Sequence, residues 1–219
     1  MPDRAKLLAD IEGLKKYGVL LAVQMGGVPN EIQLVFQTAE LDEAAGGLRP
    51  LNNYVIRALG VREHKISVGL FGRLAFLDDH ALLIHHNTPR IAVMFDGTPA
   101  DDAEVNETLL DLQTAYITTF TVWRHMIDNT GDFNAGMSLD RLLAKQDEEG
   151  SKMLGVMPRP LAERVVKVLE HHGMTTHTAQ DPDWTDTDEH GRSRLAKLLL
   201  IDDSYVIALD FSVEQMGKK

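Results

Sequence analysis

Lys197-Leu198-Leu199-Leu200-Ile201-Asp202-Asp203-Ser204-Tyr205-Val206-Ile207-Ala208-Leu209 is two β-favouring apolar runs around an acidic two-residue turn, and its reading decides the fold class. Runs rich in Leu, Ile, Val and Tyr that break at Asp pair as a hairpin, here expected to span Arg194 to Phe211. Upstream, Pro158-Arg159-Pro160-Leu161 opens a helix with Leu161, Val165, Val168 and Leu169 on one face, closing at Gly173. Helix followed by antiparallel hairpin is an α+β arrangement.

The same landmarks occur earlier. Arg-Pro-Leu stands at 49–51 and again at 159–161, an offset of 110 that also pairs Val55 with Val165, Ile56 with Val166, Arg57 with Lys167 and Leu59 with Leu169. Leu74-Ala75-Phe76-Leu77-Asp78-Asp79 matches Leu198 to Asp203 at an offset of 124, and Leu82-Leu83 matches Val206-Ile207. The sequence therefore predicts antiparallel sheets with packed helices and a duplicated helix-plus-hairpin unit. The difference between the offsets is a loop inserted at Gln180 to Arg192.

Working outward, Leu7, Leu8, Ile11 and Leu14 predict a helix over Arg4–Tyr17, and Gly18 is its stop. Val19–Met25 and Glu31–Ala39 predict a hairpin around Gly26-Gly27-Val28-Pro29-Asn30. A short helix is expected from Leu51 to Gly60, then strands at Lys65–Phe71, Arg73–Leu77, Ala81–His86 and Arg90–Phe95. Val105, Leu109, Leu112, Tyr116, Phe120, Trp123 and Ile127 repeat in steps of four and three, so Asp101–Asp128 is expected to be a long amphipathic helix ended by Gly131. The expected organisation is an α+β domain over 1–130, a linker over 131–155 with a short helix at Ser138–Lys145, and an α+β half over 156–219 resembling 48–96.

The long helix carries the main interaction signal. Leu110, Ile117 and Met126 begin a second apolar flank beside the core stripe, and large aromatics and Met are enriched at interface cores. Tyr116, Ile117, Phe120, Trp123 and Met126 are therefore the candidate partner or dimer interface, with packing inside one subunit as the competing reading.

The helix Pro160–Gly173, the strand and turn Lys197–Asp203 and the return Tyr205–Leu209, with Leu51–His86 and the long helix after Pro99 in the first half, resemble the YbjN family, whose fold looks like the type III secretion chaperones. The resemblance covers most of 48–128 and 158–214. It implies a compact α+β module, usually dimeric, that holds partner proteins or modulates stress responses and has no chemistry of its own. The chain departs from that pattern in its additional initial α-β-β segment and its greater length. The order of elements over 1–128 also fits a Roadblock or profilin-like module.

The 219 residues contain no cysteine, which excludes disulfides, thiolate zinc sites and thiol nucleophiles and fits the reducing cytoplasm. A formal charge of −11, with scattered basic residues, disfavours direct nucleic-acid binding. No apolar stretch approaches the length of a signal peptide or membrane span. There is no phosphate-binding glycine fingerprint, Gly-x-Ser-x-Gly elbow or Ser-x-x-Lys pair. His85-His86 on a strand and His171-His172 at a helix end do not share faces, which argues against a metal site. The loop from Asp181 resembles a calcium loop, but it has Asp186 where glycine is required and Arg192 at the twelfth place.

The expected function is a non-enzymatic, homodimeric, protein-binding or chaperone-like module of the cytoplasm, without cofactor or metal. The competing classes are a metal-dependent hydrolase using His and Asp, and a small-ligand sensor of profilin-like fold.

Overall fold

The computed structural model describes residues 2–126, 132–133, 138–144 and 151–217. In chain order its elements are α1 (Pro2–Ile11), β1 (Lys16–Met25), β2 (Glu31–Asp42), β3 (Gly47–Leu59), β4 (Glu63–Lys65), β5 (Gly69–Phe71) and β6 (Leu74–Leu77), then a 3-10 turn over Ala81–Leu83 and α2 (Ile84–Asn87). There follow β7 (Arg90–Asp96), α3 (Asp102–Phe120), a 3-10 turn over Thr121–Trp123, α4 (Leu139–Ala144), β8 (Lys152–Pro158), α5 (Arg159–His171) and β9 (Thr175–Gln180). The chain finishes with β10 (Lys197–Ile201), β11 (Ser204–Ala208) and β12 (Asp210–Gln215). The fold is α+β with three antiparallel sheets, as expected.

The chain divides into two compact units, Met1–Leu83 with Arg194–Lys219, and Ile84–Ser193. These boundaries differ from the partition at 130 and 156. The expected linker over 131–155 contains α4 and the start of β8, and β8 pairs with β7 inside the second unit.

In the first unit, one sheet has the order β12-β3-β2-β1-β5 and the other β4-β11-β10-β6. Strand β2 alternates: Ile32, Leu34 and Phe36 are buried, with Gln33, Val35 and Gln37 between them less so. This period of two points one face at the core shared with Leu7 and Ile11 of α1 and with Leu199, Ile201, Val206 and Phe211. Helix α1 stops six residues short of the expected Tyr17, because Gly13 (φ 131°) and Lys15 (φ 68°) turn the chain back into β1. Its Asp10 is held by β3: Tyr54 Oη donates to Asp10 Oδ2 at 2.6 Å and Asn52 Nδ2 to the same oxygen at 2.7 Å.

The duplication is overturned. Residues 47–59 form a strand, whereas 159–171 form a helix. Leu51, Val55, Ala58 and Leu59 fit a helical stripe, but Tyr54, Ile56 and Ala58 alternate as well, and they are the fully buried residues. Both edges of β3 are satisfied, by β2 and β12, and Asn52-Asn53 and Tyr54-Val55-Ile56 include poor helix formers. In Arg159-Pro160-Leu161 the proline lies in the first turn of α5, where its missing N–H costs nothing.

The two acidic pairs also sit in unrelated settings. Asp202-Asp203 is the β10–β11 turn, with Asp202 at φ 47°, while Asp78-Asp79 leads into the 3-10 turn at Ala81–Leu83. Leu74–Leu77 and Leu198–Ile201 are not copies in equivalent places but direct neighbours: β6 and β10 pair antiparallel, Leu77 opposite Leu198 and Leu74 opposite Ile201. The expected strand at Ala81–His86 is instead that 3-10 turn and α2, with the consecutive residues Leu82 and Leu83 both buried.

The second unit packs α3 and α5 with the sheet β8-β7-β9. Val93, Phe95, Leu112, Tyr116, Phe120, Leu154, Met157, Leu161, Val165 and Leu169 form its core. Helix α3 begins at Asp101, whose carboxylate accepts from the Glu104 amide at 3.0 Å. It ends at Phe120, not at Gly131, because Thr121 takes a left-handed backbone (φ 56°) while its N–H still reaches the Ile117 carbonyl. Ile127, Asp128 and Gly131 lie outside the described residues. The short helix expected at Ser138–Lys145 is α4.

Candidate functional site

The five residues expected to form an interface are not brought together on a surface. Tyr116 and Phe120 are fully buried, with ring centroids 4.7 Å apart, and Phe133 lies 6.3 Å from Tyr116. Trp123 is half-buried in the 3-10 turn, and Met126 packs on the same core. Ile117 alone is exposed, in line with Leu110 one heptad earlier. The aromatic stripe is therefore core, and only the Leu110–Ile117 flank reaches solvent.

A buried polar cluster that the sequence did not suggest lies beside that core. Asp132, 1% exposed, accepts from His85 Nε2 at 2.7 Å, from Arg90 Nη2 at 3.2 Å and, more weakly, from Tyr116 Oη at 3.4 Å. His85 stacks on Phe120 at 4.6 Å, and its Nδ1 is buried with no hydrogen-bond partner among the described residues. A carboxylate orienting an imidazole can serve general-base chemistry, but here the second ring nitrogen meets no solvent. The surroundings make the cluster an anchor. A side chain at Gly155 would lie 2.1 Å from the Asp132 carbonyl oxygen, so residues 132–133 rest directly on β8 while Phe133 enters the core. His85 and Asp132 are 47 residues apart, and no local spacing announces the pair.

Two further histidines make hydrogen-bonded pairs with carboxylates. His172 meets Asp111 at 3.0 Å, and His177 meets Asp96 at 2.8 Å. Hydrogen bonds from Ser151 and then His177 hold the Asp96 carboxyl below the usual carboxylate range. Among the described residues no group of three His, Asp or Glu side chains could hold a metal. The loop 181–192 is stitched by its own turns, with Asp188 Oδ1 accepting from the His190 and Arg192 amides at 2.8 Å.

The feature with the clearest capacity to engage another molecule is the outer edge of β1. Strand β5 covers it only at Gly18–Leu20, where Phe71, Leu70 and Gly69 stand opposite. Two local causes fix that short overlap. The Phe71 ring lies over Gly18, where any side chain would clash, and packs edge-on against Phe36 at 5.6 Å. At the other end, Gly69 has φ 137°, a conformation open to glycine, and there the chain swings into the sheet. The corner after β5 is clamped by Asp202, whose carboxylate accepts from the Gly72 and Arg73 amides at 2.9 Å each.

Beyond Leu20, β1 continues to Met25 paired with β2 on one side, and among the described residues no strand pairs with its other side. Val23 stands opposite the buried Leu34 and Met25 opposite the buried Ile32, so both lie on the core-facing side at its uncovered margin. Leu21 (51% exposed), Val23, Met25 (74%), Val28, Val68 (64%) and Leu70 are all exposed. Gly18 to Asn30 contains no charged residue, and neither does Ile66 to Gly72. The hairpin is kept rigid behind this edge: the Gly26 amide donates to the Glu31 carbonyl at 2.8 Å, and Gln24 Nε2 reaches Gln33 Oε1 at 3.3 Å. No signal in the run Val19–Met25 separates an edge strand from an interior one, which is why the sequence offered a hairpin and not a site.

No family model, curated protein or solved structure matches the chain.

Proposed function

We propose that the chain is a non-enzymatic protein-binding module, chaperone-like in that it holds an extended segment, and that its binding element is the open edge of β1. One observation carries the reading: on its outer side Leu21–Met25 pairs with no strand among the described residues, its apolar side chains are exposed, and no charge stands from Gly18 to Asn30. Open edges in natural sheets are ordinarily blunted by Lys, Pro or inward charges, because they template pairing with another chain. Here the protection consists of a single bulge between Leu20 and Ala22, after which pairing with β2 is regular. An extended segment added to such an edge gains main-chain hydrogen bonds, while its apolar side chains meet Val23 and Met25. A cytoplasmic setting belongs to the same proposal, and the cysteine-free sequence accords with it.

The test is retention of binding partners by the immobilised full chain, wild type against Met25→Lys. A protein bound by the wild type and lost from the variant supports the reading. Identical retention by both sinks it.

A further inference from the structure

We propose that the occupant of the β1 edge is a second copy of this chain, paired antiparallel over Leu21–Met25 about a two-fold axis at Val23. The inference rests on the reading of this edge as the binding element and names what it binds.

Three properties of the edge point to itself as partner. Antiparallel pairing about Val23 places Leu21 opposite Met25 of the second copy, Ala22 opposite Gln24 and Val23 opposite Val23, so no position of the five meets a charge or a proline. A two-fold contact must be self-complementary in this way. The same register runs the second copy's Gly26–Asn30 loop toward Val68 and Gly69, where β5 leaves β1, so the length of open edge matches the length of strand that fills it.

Charge narrows the contact further. Each copy carries −11, and two such chains repel wherever acidic faces meet. The thirteen residues from Gly18 to Asn30 and the seven from Ile66 to Gly72 are neutral, which lets like-charged copies approach there without that penalty.

Area bounds the contact. Leu21, Val23, Met25, Val28, Val68 and Leu70 together expose on the order of 600 Å² per copy at the fractions observed, so these side chains can contribute at most about 1,200 Å² to a pair, the lower end of specific interfaces. Area does not by itself fix affinity, so the population of the dimer is followed across concentration.

The experiment is light scattering on the full purified chain from about 1 µM to about 500 µM, a range that brackets micromolar dissociation. The expected mass rises from 24.4 kDa toward twice that value as concentration increases. Met25→Lys places a cation opposite Leu21 at both ends of the pairing and is expected to weaken association at least about tenfold. Met25 is exposed, so the melting temperature of the dilute variant should match wild type. Ile117→Lys, on the exposed flank of α3, is expected to associate like wild type.

Hydrogen exchange on the unmutated chain gives a second measurement: the amides of Val23 and Met25, which alternate away from β2 toward the open edge, should slow as concentration rises. A wild type that stays at 24.4 kDa throughout overturns the proposal, as does a Met25→Lys chain that dimerises normally, or loss of dimer in Ile117→Lys instead. A monomeric wild type that still retains a Met25-dependent partner would overturn the self-pairing while leaving the binding edge in place.

Discussion

The ring of Phe71 fills the space into which a side chain on residue 18 would project: a methyl group on Gly18 would lie 2.1 Å from Phe71 Cζ. That contact fixes the Gly18 end of the β5 overlap, while the uncovered part of β1 begins at the other end, past Leu20 opposite Gly69. The ring is itself buried and packed edge-on against Phe36, which resists its retreat.

Gly18→Ala should destabilise the protein by roughly 1–3 kcal/mol, the usual cost of forcing extra volume into a packed site. Gly27→Ala has nothing within 4 Å of its new methyl and should be close to neutral. Urea titrations of both variants check this. Equal midpoints would show that Phe71 yields freely.

Tyr116 and Ile117 are neighbours on α3 with opposite fates. Tyr116→Ala should cost about 3–5 kcal/mol as a cavity in the second unit's core. Ile117→Ala should stay within about 0.5 kcal/mol, as exposed substitutions do. Thermal melts at one dilute concentration separate the two.

Asp132→Asn keeps the shape of the anchor and removes its charge, leaving the Arg90 and His85 donors facing a neutral amide. Breaking a buried ion pair from one side costs about 3–5 kcal/mol, and Arg90 is partly exposed, so the lower figure is expected here. A chemical denaturation midpoint unchanged by the substitution would mean that the cluster contributes no net stability.

Tyr54 supplies the pH dependence. Burial first, and then the hydrogen bond to Asp10, raises the phenol well above its ordinary value of 10.0. A raised folded-state value gives stability that is fully present below about pH 10 and is lost as the pH climbs through the folded-state value. At neutral pH, Tyr54→Phe should lose about 1.5–3 kcal/mol, the worth of a hydrogen bond to a charged group. Above about pH 10 the wild type should lose that advantage, so the two stability curves converge. Parallel curves from pH 9 to 11.5 would remove the phenol from the account.

Much of the fold was legible where local chemistry and burial agreed. The hairpins β1–β2 and β10–β11, strand β7 and helices α3 and α5 follow from period and turn residues. Strand β3 was not legible, since Leu51, Val55, Ala58 and Leu59 satisfy a helical stripe while Tyr54, Ile56 and Ala58 satisfy a strand, and only its neighbours β2 and β12 decide between them. The aromatic stripe of α3 was found correctly as a stripe, but whether it faces a partner or its own sheet depends on β7, β8 and α5, which bury it. The open edge of β1 was invisible for a related reason: an edge is defined by the strand that is missing beside it.

Strand β12 pairs with β3, Asp210 opposite Leu59, across the whole intervening unit. On a translating ribosome, residues 1–83 therefore emerge with three of their sheet neighbours, β10, β11 and β12, not yet made. At about 5–20 residues per second the wait is on the order of ten seconds, during which β3, β4 and β6 each stand without a strand that they pair with. Residues 84–193 leave the tunnel as one contiguous block and can fold before the first unit closes. A nascent chain of this topology completes its second unit before its first, and premature termination before Arg194 would leave residues 84–193 attached to sheets that lack β10, β11 and β12.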